Sequence, residues 1–296
     1  MEHVRWLDEA ETDLGVTNPV VLAAFTGWND AGDAASSALR TLIESAQARP
    51  IAEIDPEWFT DFATVRPHVR LDDDQRRHIV WPTVGVWAAS LPGADVLLIL
   101  GPEPALRWQL FCEQLAVICE RAGATLAITL GALLADVPHT RPTHIIGTAA
   151  DDALIDRFDL ERSNYEGPTG IVGVLQHTLS AIGLQTASLW AAVPGYAAQI
   201  SSPKAAVALV ERACAMIGTP VPRSELAVQA DDYEAKVAGL IGDDDDLRTY
   251  VTRLEAMADE MDDDGDRAPS IGLDGTDPAA LTAEIERFLR ERGQSD

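Results

Sequence analysis

Short apolar runs alternate with amphipathic stretches through the first 217 residues of the chain. Residues 19–25 are apolar and include β-branched side chains, which predicts a buried strand. Residues 34–44 are rich in alanine and leucine and contain neither glycine nor proline, which predicts a helix. Residues 95–101 contain an unbroken apolar run, as expected of a strand that is covered on both faces. Together these patterns predict an α/β fold with a mainly parallel sheet between helices.

The same patterns predict the other elements of this part of the chain. Further strands are predicted at 51–54, 78–82, 84–88, 125–130, 143–148 and 186–193, with an extended segment at 64–71. Helices are predicted at 106–121, 151–160, 171–182 and 203–217. Residues 1–18 are polar and predict a surface segment, and residues 131–142 predict a loop. Either Asp30 or Asp33 is expected to accept hydrogen bonds from the first free amides of the helix at 34–44.

The pattern changes after residue 217. Residues 218–223 contain two prolines and predict a linker, and no strand pattern follows them. Helices are predicted at 224–240, 247–261 and 278–290, separated by runs of acidic residues. We therefore predict two parts, an α/β domain at 1–217 and an acidic helical C-terminal extension at 218–296.

Charge and composition exclude several classes of partner. The 296 residues include 22 lysines and arginines against 48 aspartates and glutamates, which gives a net charge of -26. Because so negative a protein repels nucleic acids and anionic membranes, neither is expected as a partner. No apolar run approaches the ~20 residues that span a bilayer. The N-terminal residues also lack the basic and apolar regions of a signal peptide, so a cytoplasmic location is expected.

Motifs of the common enzyme and cofactor classes are missing from the sequence. There is no dinucleotide fingerprint and no Gly-Lys-Ser/Thr phosphate loop, and the only lysines are Lys204 and Lys236. No Gly-x-Ser-x-Gly nucleophile elbow occurs, the histidines form no i,i+4 pair, and the 3 cysteines lack metal or redox spacing. The acidic tract at 262–266 does not match a calcium loop, because Arg267 occupies the required glycine position. We expect no cofactor, no metal and no recognisable catalytic residue.

Polar and aromatic residues cluster in four loops that follow predicted strands. Because the carboxyl ends of parallel strands share one edge of a sheet, the loops are expected to converge there. The candidate ligand or partner residues in them are Trp28, Asn29, Asp30, Glu103, Arg107, Asp136, His139, Arg141, Tyr165, Glu166 and Thr169. Glu103 and Arg107 lie four residues apart and could pair on one helix face. Equally, the charged residues could be structural caps and ion pairs, and Trp28 could fill the sheet edge, wall a pocket or bind a partner.

Six segments of the chain together resemble the PAC2 family, and its actinobacterial branch in particular. These segments are residues 25–39, 54–67, 101–108, 129–142, 165–170 and 188–194. The resemblance covers about residues 17–217, with a similar acidic helical extension behind them. It implies a phosphorylase/hydrolase-like α/β fold and self-association. Through the name of the family it also implies a link to proteasome assembly chaperones, which hold proteasome α subunits during ring assembly.

Two features qualify what the resemblance implies. Bacterial members have also been labelled ATP-grasp or carboxylate–amine ligase-like, and the absence of lysine before Lys204 speaks against that label. Archaeal relatives that dock on the proteasome share a C-terminal hydrophobic-Tyr-any tail, whereas residues 292–296 here are Arg-Gly-Gln-Ser-Asp. Docking through such a tail is therefore not expected.

The leading functional hypothesis is a non-enzymatic, cytoplasmic, chaperone-like homo-oligomer. A trimer is the first guess for its size, and proteasome subunits are its expected partners. A simpler alternative is that the loops only form the oligomer interface, since Trp28, Trp108 and Tyr165 are of the residue types that anchor interfaces.

The rival hypothesis is an enzyme or small-molecule binder, ligase-like or hydrolase-like, that uses the same loops. Glu103, Asp136 and His139 would then be the acid/base candidates, and Arg107 or Arg141 would hold an anion. A single loop histidine such as His139 is, however, more often a surface hydrogen-bonding residue.

Overall fold

The computed structural model of the protein describes residues 3–7, 10, 13–242 and 244–263. The strands are β1 Val4–Trp6, β2 Val20–Thr26, β3 Arg49–Ile54, β4 His68–Leu71, β5 Arg77–Val80, β6 Val84–Leu91, β7 Ala94–Pro102, β8 Leu126–Ala135, β9 Ile145–Ala149, β10 Glu161–Arg162 and β11 Gln185–Pro194. The helices are α1 Ala34–Ser45, α2 Trp108–Arg121, α3 Asp152–Phe158, α4 Ile171–Ala181, α5 Pro203–Ile217, α6 Glu225–Ile241 and α7 Asp245–Asp263.

The chain divides into two compact units. Met1–Ala256 form the first unit, and Met257–Asp296 form the second. Of the second unit, only the C-terminal end of α7 lies within the described residues. The predicted helix at 278–290 lies outside them, and the proposed domain boundary at 217 stays a prediction. No helix in the described ranges combines the length and apolar character needed to cross a membrane.

Nine strands form one sheet in the order β1-β3-β6-β7-β2-β8-β11-β9-β10. The four central strands β7, β2, β8 and β11 are parallel. On one side β6, β3 and β1 join antiparallel, and on the other side β9 pairs antiparallel with β11. Only two residues connect β6 to β7, so these two strands can pair only in the antiparallel orientation. The predicted α/β class, with a sheet between helices, is confirmed. The predicted parallel pairing is found among the four central strands of the sheet.

Both faces of the central sheet are buried by helices. Along β2, Leu22 and Ala24 join the core that contains α1 and α5, whereas Val21 and Ala23 join the core that contains α2 and α4. Successive side chains of a strand point to opposite faces, so a strand covered on both sides has to be apolar throughout. This explains the unbroken apolar runs in the sequence. The 3 cysteines lie in these cores as free thiols.

Two local predictions are wrong, and one strand was not predicted. Residues 1–18 were predicted to form a surface segment, and the edge strand β1 forms within them by antiparallel pairing with β3. A loop was expected from residue 131, but β8 continues to Ala135 because each of its residues to that point pairs with β11. The segment at 78–82 was expected to belong with 84–88, but β5 pairs with β4 in a separate two-stranded hairpin.

The helices α6 and α7 match two of the helices predicted after the linker. In the first unit, Tyr233, Val237 and Ile241 of α6 and Val251 of α7 form a small apolar cluster. Ala197 and Ile200, from the loop after β11, complete that cluster. These helices therefore pack on the loops that follow the central strands.

Candidate interaction site

Asn29, Glu103 and the start of α4 meet at the carboxyl edge of the parallel strands. Asn29 Nδ2 donates to Glu103 Oε1 over 2.9 Å, and the backbone N–H of Ile171 donates to the same oxygen over 2.8 Å. Gly170, the N-cap of α4, has no side chain that could accept from the first amides of the helix. Glu103 supplies that acceptor from the loop after β7. We call Asn29, Glu103, Gly170 and Ile171 the loop brace.

Asn29 and Gly170 of the loop brace are buried, and Glu103 is partly buried. Asn29 is 1% exposed, and its backbone carbonyl accepts from the Ala132 N–H over 2.8 Å, which ties it to β8. A Cβ atom added to Gly170 would lie 2.2 Å from Asn29 Oδ1, so only glycine fits there without a shift. Two of the predicted site residues, Asn29 and Glu103, are therefore brought together, and their contacts serve to join three loops.

Asp30 caps α1 from inside the protein. Its Oδ1 accepts from the backbone N–H of Ser36 over 3.0 Å, whereas Asp33 makes no side-chain cap bond to the helix. Burial raises the pKa of Asp30, and the hydrogen bonds from Ser36 oppose that shift. Of the two cap candidates, Asp30 is thus the one that performs this role. Asp33 instead accepts from the Ser201 hydroxyl over 2.7 Å.

Large apolar side chains are exposed beside the loop brace. Trp28 is 67% exposed, which rules out that it fills the sheet edge. Trp58, after β3, and Leu106, after β7, are also exposed. The Arg107 guanidinium carbon lies 4.6 Å from the centre of the Trp58 ring, a cation–π contact. We call Trp28, Trp58, Leu106 and Arg107 the exposed rim.

The ion pair considered for Glu103 and Arg107 is not formed. The helix α2 begins only at Trp108, and Arg107 precedes it with a left-handed φ of 54°. Consequently the two residues do not lie on one helix face. Glu103 is bonded within the loop brace, and Arg107 lies over Trp58.

The loop at 163–170 reaches the site by a route that the sequence did not predict. It follows β10, which runs with β9 and therefore against the central strands, so it starts at the opposite edge and returns to the loop brace at Gly170. The Tyr165 hydroxyl donates to the Pro168 carbonyl over 2.8 Å. Glu166 and Thr169 are exposed in this loop.

The loop after β8 holds a second group of predicted site residues, and these contact the C-terminal helices. Asp136 Oδ1 accepts from the Tyr250 hydroxyl of α7 over 2.7 Å. Arg141 lies 3.8 Å from the Glu255 carboxylate of α7, and Thr140 donates to the same carboxylate. The structure thus places Asp136 and Arg141 in contacts that hold α7.

His139 is buried in the same loop. It is 4% exposed, and its Nδ1 lies 2.8 Å from the Tyr196 hydroxyl, which also accepts from the His139 backbone N–H over 2.7 Å. Lys204 donates to the His139 carbonyl over 2.7 Å and forms an ion pair with Glu234 of α6. Burial lowers the pKa of His139, and Glu234 opposes that shift. A buried, neutral histidine held in this way is a structural group.

Sequence reasoning missed the partners in both groups. The missed residues are Trp58, Tyr196, Lys204, Glu234, Tyr250 and Glu255. Tyr196 and Trp58 had a usable signal, since they follow the predicted strands at 186–193 and 51–54. The other missed residues lie on the helices α5, α6 and α7, and no motif spacing relates them to the site.

The described residues offer two further facts about possible ligands. Within these ranges, no cluster of three or more His, Cys, Asp or Glu side chains is arranged to hold a metal ion. A cleft of about 590 Å³ lies at the opposite edge of the sheet. It is lined by the first residue of each central strand, namely Val20, Ala94, Leu126 and Gln185. None of the predicted site residues lines that cleft.

Comparison with known proteins identifies relatives that match most of the chain. The sequence model of the PAC2 family matches residues 24–241. A PAC2 family protein from Streptomyces avermitilis is 42% identical, with a TM-score of 0.73, and the match covers 79% of this chain and 99% of that one. A search of curated proteins finds no match.

Two further solved structures are similar. The proteasome-assembly chaperone homologue from Mycobacterium tuberculosis is 41% identical, with a TM-score of 0.71, over 78% of this chain and 99% of that one. PbaB from Pyrococcus furiosus, an archaeal proteasome activator, is 15% identical, with a TM-score of 0.65, over 81% of this chain and 99% of that one. At 15% identity, the similarity to PbaB shows only that the two proteins share a fold.

Proposed function

The chain belongs to the PAC2 family, and on this basis we propose that it is a chaperone-like protein that binds other proteins through the exposed rim. The mycobacterial relative at 41% identity is a proteasome-assembly chaperone homologue, which makes proteasome subunits the first candidates for the partner. We also propose that the protein acts in the cytoplasm as a homo-oligomer, with a trimer as the first size to test.

The observation that carries the proposal is the exposure of Trp28 beside a rigid support. Tryptophan, tyrosine and arginine are the residues that most often dominate binding energy at protein interfaces. Here Trp28 is 67% exposed, and the next residue, Asn29, is fixed by the loop brace. A large apolar side chain on a fixed loop loses little conformational entropy on binding, which favours affinity.

The enzyme alternative has less support from the same geometry. Its acid/base candidates were Glu103, Asp136 and His139. Glu103 accepts two hydrogen bonds in the loop brace, Asp136 accepts from Tyr250, and His139 is buried against Tyr196. Each group is thus engaged in joining elements of the fold.

A binding measurement tests the proposal. Purified proteasome α subunits from the same organism are titrated onto the immobilised protein, and onto Trp28→Ala and Trp58→Ala variants. Ile182→Ala is the matched control, because Ile182 is also an exposed apolar residue but lies at the far end of α4. We expect each rim variant to weaken binding about tenfold or more, as truncation of an interface anchor does. Absence of binding by the wild-type protein, or equal loss in the control, would refute the proposal.

A further inference from the structure

The hairpin of β4 and β5 is exposed along its whole length. All eight of its strand residues are solvent-exposed, and its two strands pair only with each other. The ring contact between Phe62 and Trp81, with centroids 5.0 Å apart, lies beside its base. An isolated two-stranded hairpin is at best marginally stable in water and gains stability when its apolar face is packed. We call residues 66–80 the arm.

One face of the arm is apolar with a single positive charge. Directly opposite residues of an antiparallel pair lie on the same face, and so do alternate residues along each strand. The pairs Val69–Ile79 and Leu71–Arg77 therefore share one face. Val69, Leu71 and Ile79 are each about half exposed. This face has the composition of a binding surface, with three aliphatic side chains and one arginine.

The charge of the arm is opposite to that of the chain. Residues 66–80 include four arginines and three aspartates, whereas the whole protein carries a net charge of -26. These side chains give the arm a net charge of +1 with histidine neutral, so an acidic surface attracts it. A second copy of this protein, whose net charge is -26, offers such surfaces.

The outer face of α6 is acidic and also exposes an aliphatic residue. Val228, Asp231 and Asp232 are spaced i, i+3 and i+4, so they share one face of the helix. Val228 is 65% exposed, and both aspartates are exposed. An apolar side chain flanked by two carboxylates matches the arm face, where Arg77 flanks Ile79, Val69 and Leu71.

We propose that the arm of one copy of this protein docks, through Val69, Leu71, Ile79 and Arg77, on the Val228–Asp231–Asp232 face of α6 in a second copy. Both surfaces are open to solvent on the single chain, so they do not satisfy each other within one copy. Each copy carries both surfaces, so the contact forms a reciprocal pair, a closed ring or an open chain of copies, depending on the rotation between them. The inference deepens the proposed self-association and is independent of the partner bound at the exposed rim.

A charge exchange between copies tests the contact. The oligomer mass of the full chain is measured by sedimentation over a range of protein and salt concentrations, for the wild type, Arg77→Asp, Asp231→Arg/Asp232→Arg, and all three substitutions together. We expect an oligomer that weakens as salt rises, because the paired charges are exposed. Reversing the charge on either surface should weaken association tenfold or more. The combined variant should regain association to within about threefold of the wild type, because opposite charges face each other again. Arg40→Asp, at an exposed position on α1, is the matched control and should leave the mass unchanged.

Three results would overturn the proposal. These are a wild-type monomer at every concentration, an unchanged mass in Arg77→Asp, and no recovery in the combined variant. The test also separates this proposal from the proposed function. If Arg77→Asp loses proteasome α subunits but keeps the oligomer, the arm binds that partner and not a second copy. If the oligomer behaves as predicted while α subunits never bind, the proposed chaperone function fails and the arm contact stands.

Discussion

The side-chain amide of Asn29 donates to the Glu103 carboxylate over 2.9 Å, and the same oxygen accepts from the first amide of α4 over 2.8 Å. One carboxylate oxygen thereby joins the loop after β2, the loop after β7 and the helix α4. The negative charge also lies at the N-terminus of α4, where the helix dipole favours it. Glu103 is thus the centre of the loop brace that supports Trp28.

Replacing Glu103 with alanine should destabilise the fold. The change leaves the Asn29 Nδ2 group and the Ile171 N–H without an acceptor in a partly buried site. Loss of hydrogen bonds to a charged group suggests a decrease of about 2–4 kcal/mol in the free energy of unfolding. Glu103→Gln keeps an acceptor oxygen and should cost about half as much. Urea denaturation followed by circular dichroism measures both changes.

Glu113 provides the control for that measurement. It is an exposed carboxylate on the neighbouring helix α2, so Glu113→Ala should change the free energy of unfolding by less than about 0.5 kcal/mol. If Glu103→Ala is no more destabilising than Glu113→Ala, the loop brace does not stabilise the protein.

Gly170→Ala should be destabilising for a steric reason. The new Cβ would lie 2.2 Å from Asn29 Oδ1, and Asn29 is enclosed and cannot move freely. Gly239→Ala is the matched control, because a Cβ there meets nothing within 4 Å and the residue lies inside α6. In the helix the same substitution should stabilise by about 0.5–1 kcal/mol. Opposite signs are therefore expected in parallel thermal melts, and a neutral Gly170→Ala would contradict the tight contact.

The Tyr250–Asp136 hydrogen bond should contribute to the docking of α7 on the loop after β8. Tyr250→Phe removes the hydroxyl that donates to Asp136 over 2.7 Å, and should cost about 0.5–1.5 kcal/mol. Asp136→Asn in the Tyr250→Phe background should then cost little more, since the bond is already gone. A double-mutant cycle by chemical denaturation gives the coupling. Additive effects of the two substitutions would show that the pair does not act as a unit.

Stability should fall in mildly acidic solution because of His139. Burial lowers the pKa of His139 from its ordinary value of 6.5, so the unfolded chain binds a proton more readily than the folded one. The contribution is absent well above pH 6.5, and the free energy of unfolding decreases as the pH falls through and below that value. Denaturation at pH 7.5, 6.5 and 5.5, chosen to bracket the ordinary pKa, measures the slope.

Two single substitutions of histidine by asparagine separate the contribution of His139 to this pH dependence from that of other groups. His139→Asn should flatten the slope between pH 7.5 and 5.5, whereas His78→Asn should leave it in place because His78 is exposed on β5. A slope that survives in His139→Asn would assign the acid sensitivity to other groups.

Much of the fold was predictable because its strands are buried on both faces. Runs such as residues 20–25 and 96–100 have to be apolar throughout, and that signal is visible in the sequence. The helix that begins after Ser202 was also predictable, since its cap is local: Ser202 Oγ accepts from the Ala205 N–H. By contrast, β1 was missed because a short edge strand depends on pairing with β3 and has little pattern of its own.

The site was predictable as a set of loops and not as a set of contacts. The rule that parallel strands end at one edge brought Asn29 and Glu103 together correctly. It did not show that Asp136 and Arg141 would contact α7, because their partners Tyr250 and Glu255 each lie 114 residues further along the chain. Helical periodicity predicts that a helix has an apolar face, but not which loop that face covers.

The sequence by itself determined the α/β class, the alternation of strands and helices along the chain, the acidic charge and the family to which the chain belongs, because these depend on local pattern and composition. Only the tertiary structure decided which polar residues are consumed in joining the fold and which side chains are left exposed. Glu103 and Arg107 show the difference: they are four residues apart, yet α2 begins only at Trp108, so Glu103 is bonded in the loop brace while Arg107 lies over Trp58. Exposure and pairing depend on contacts between segments that are distant in the chain, and no local pattern records them.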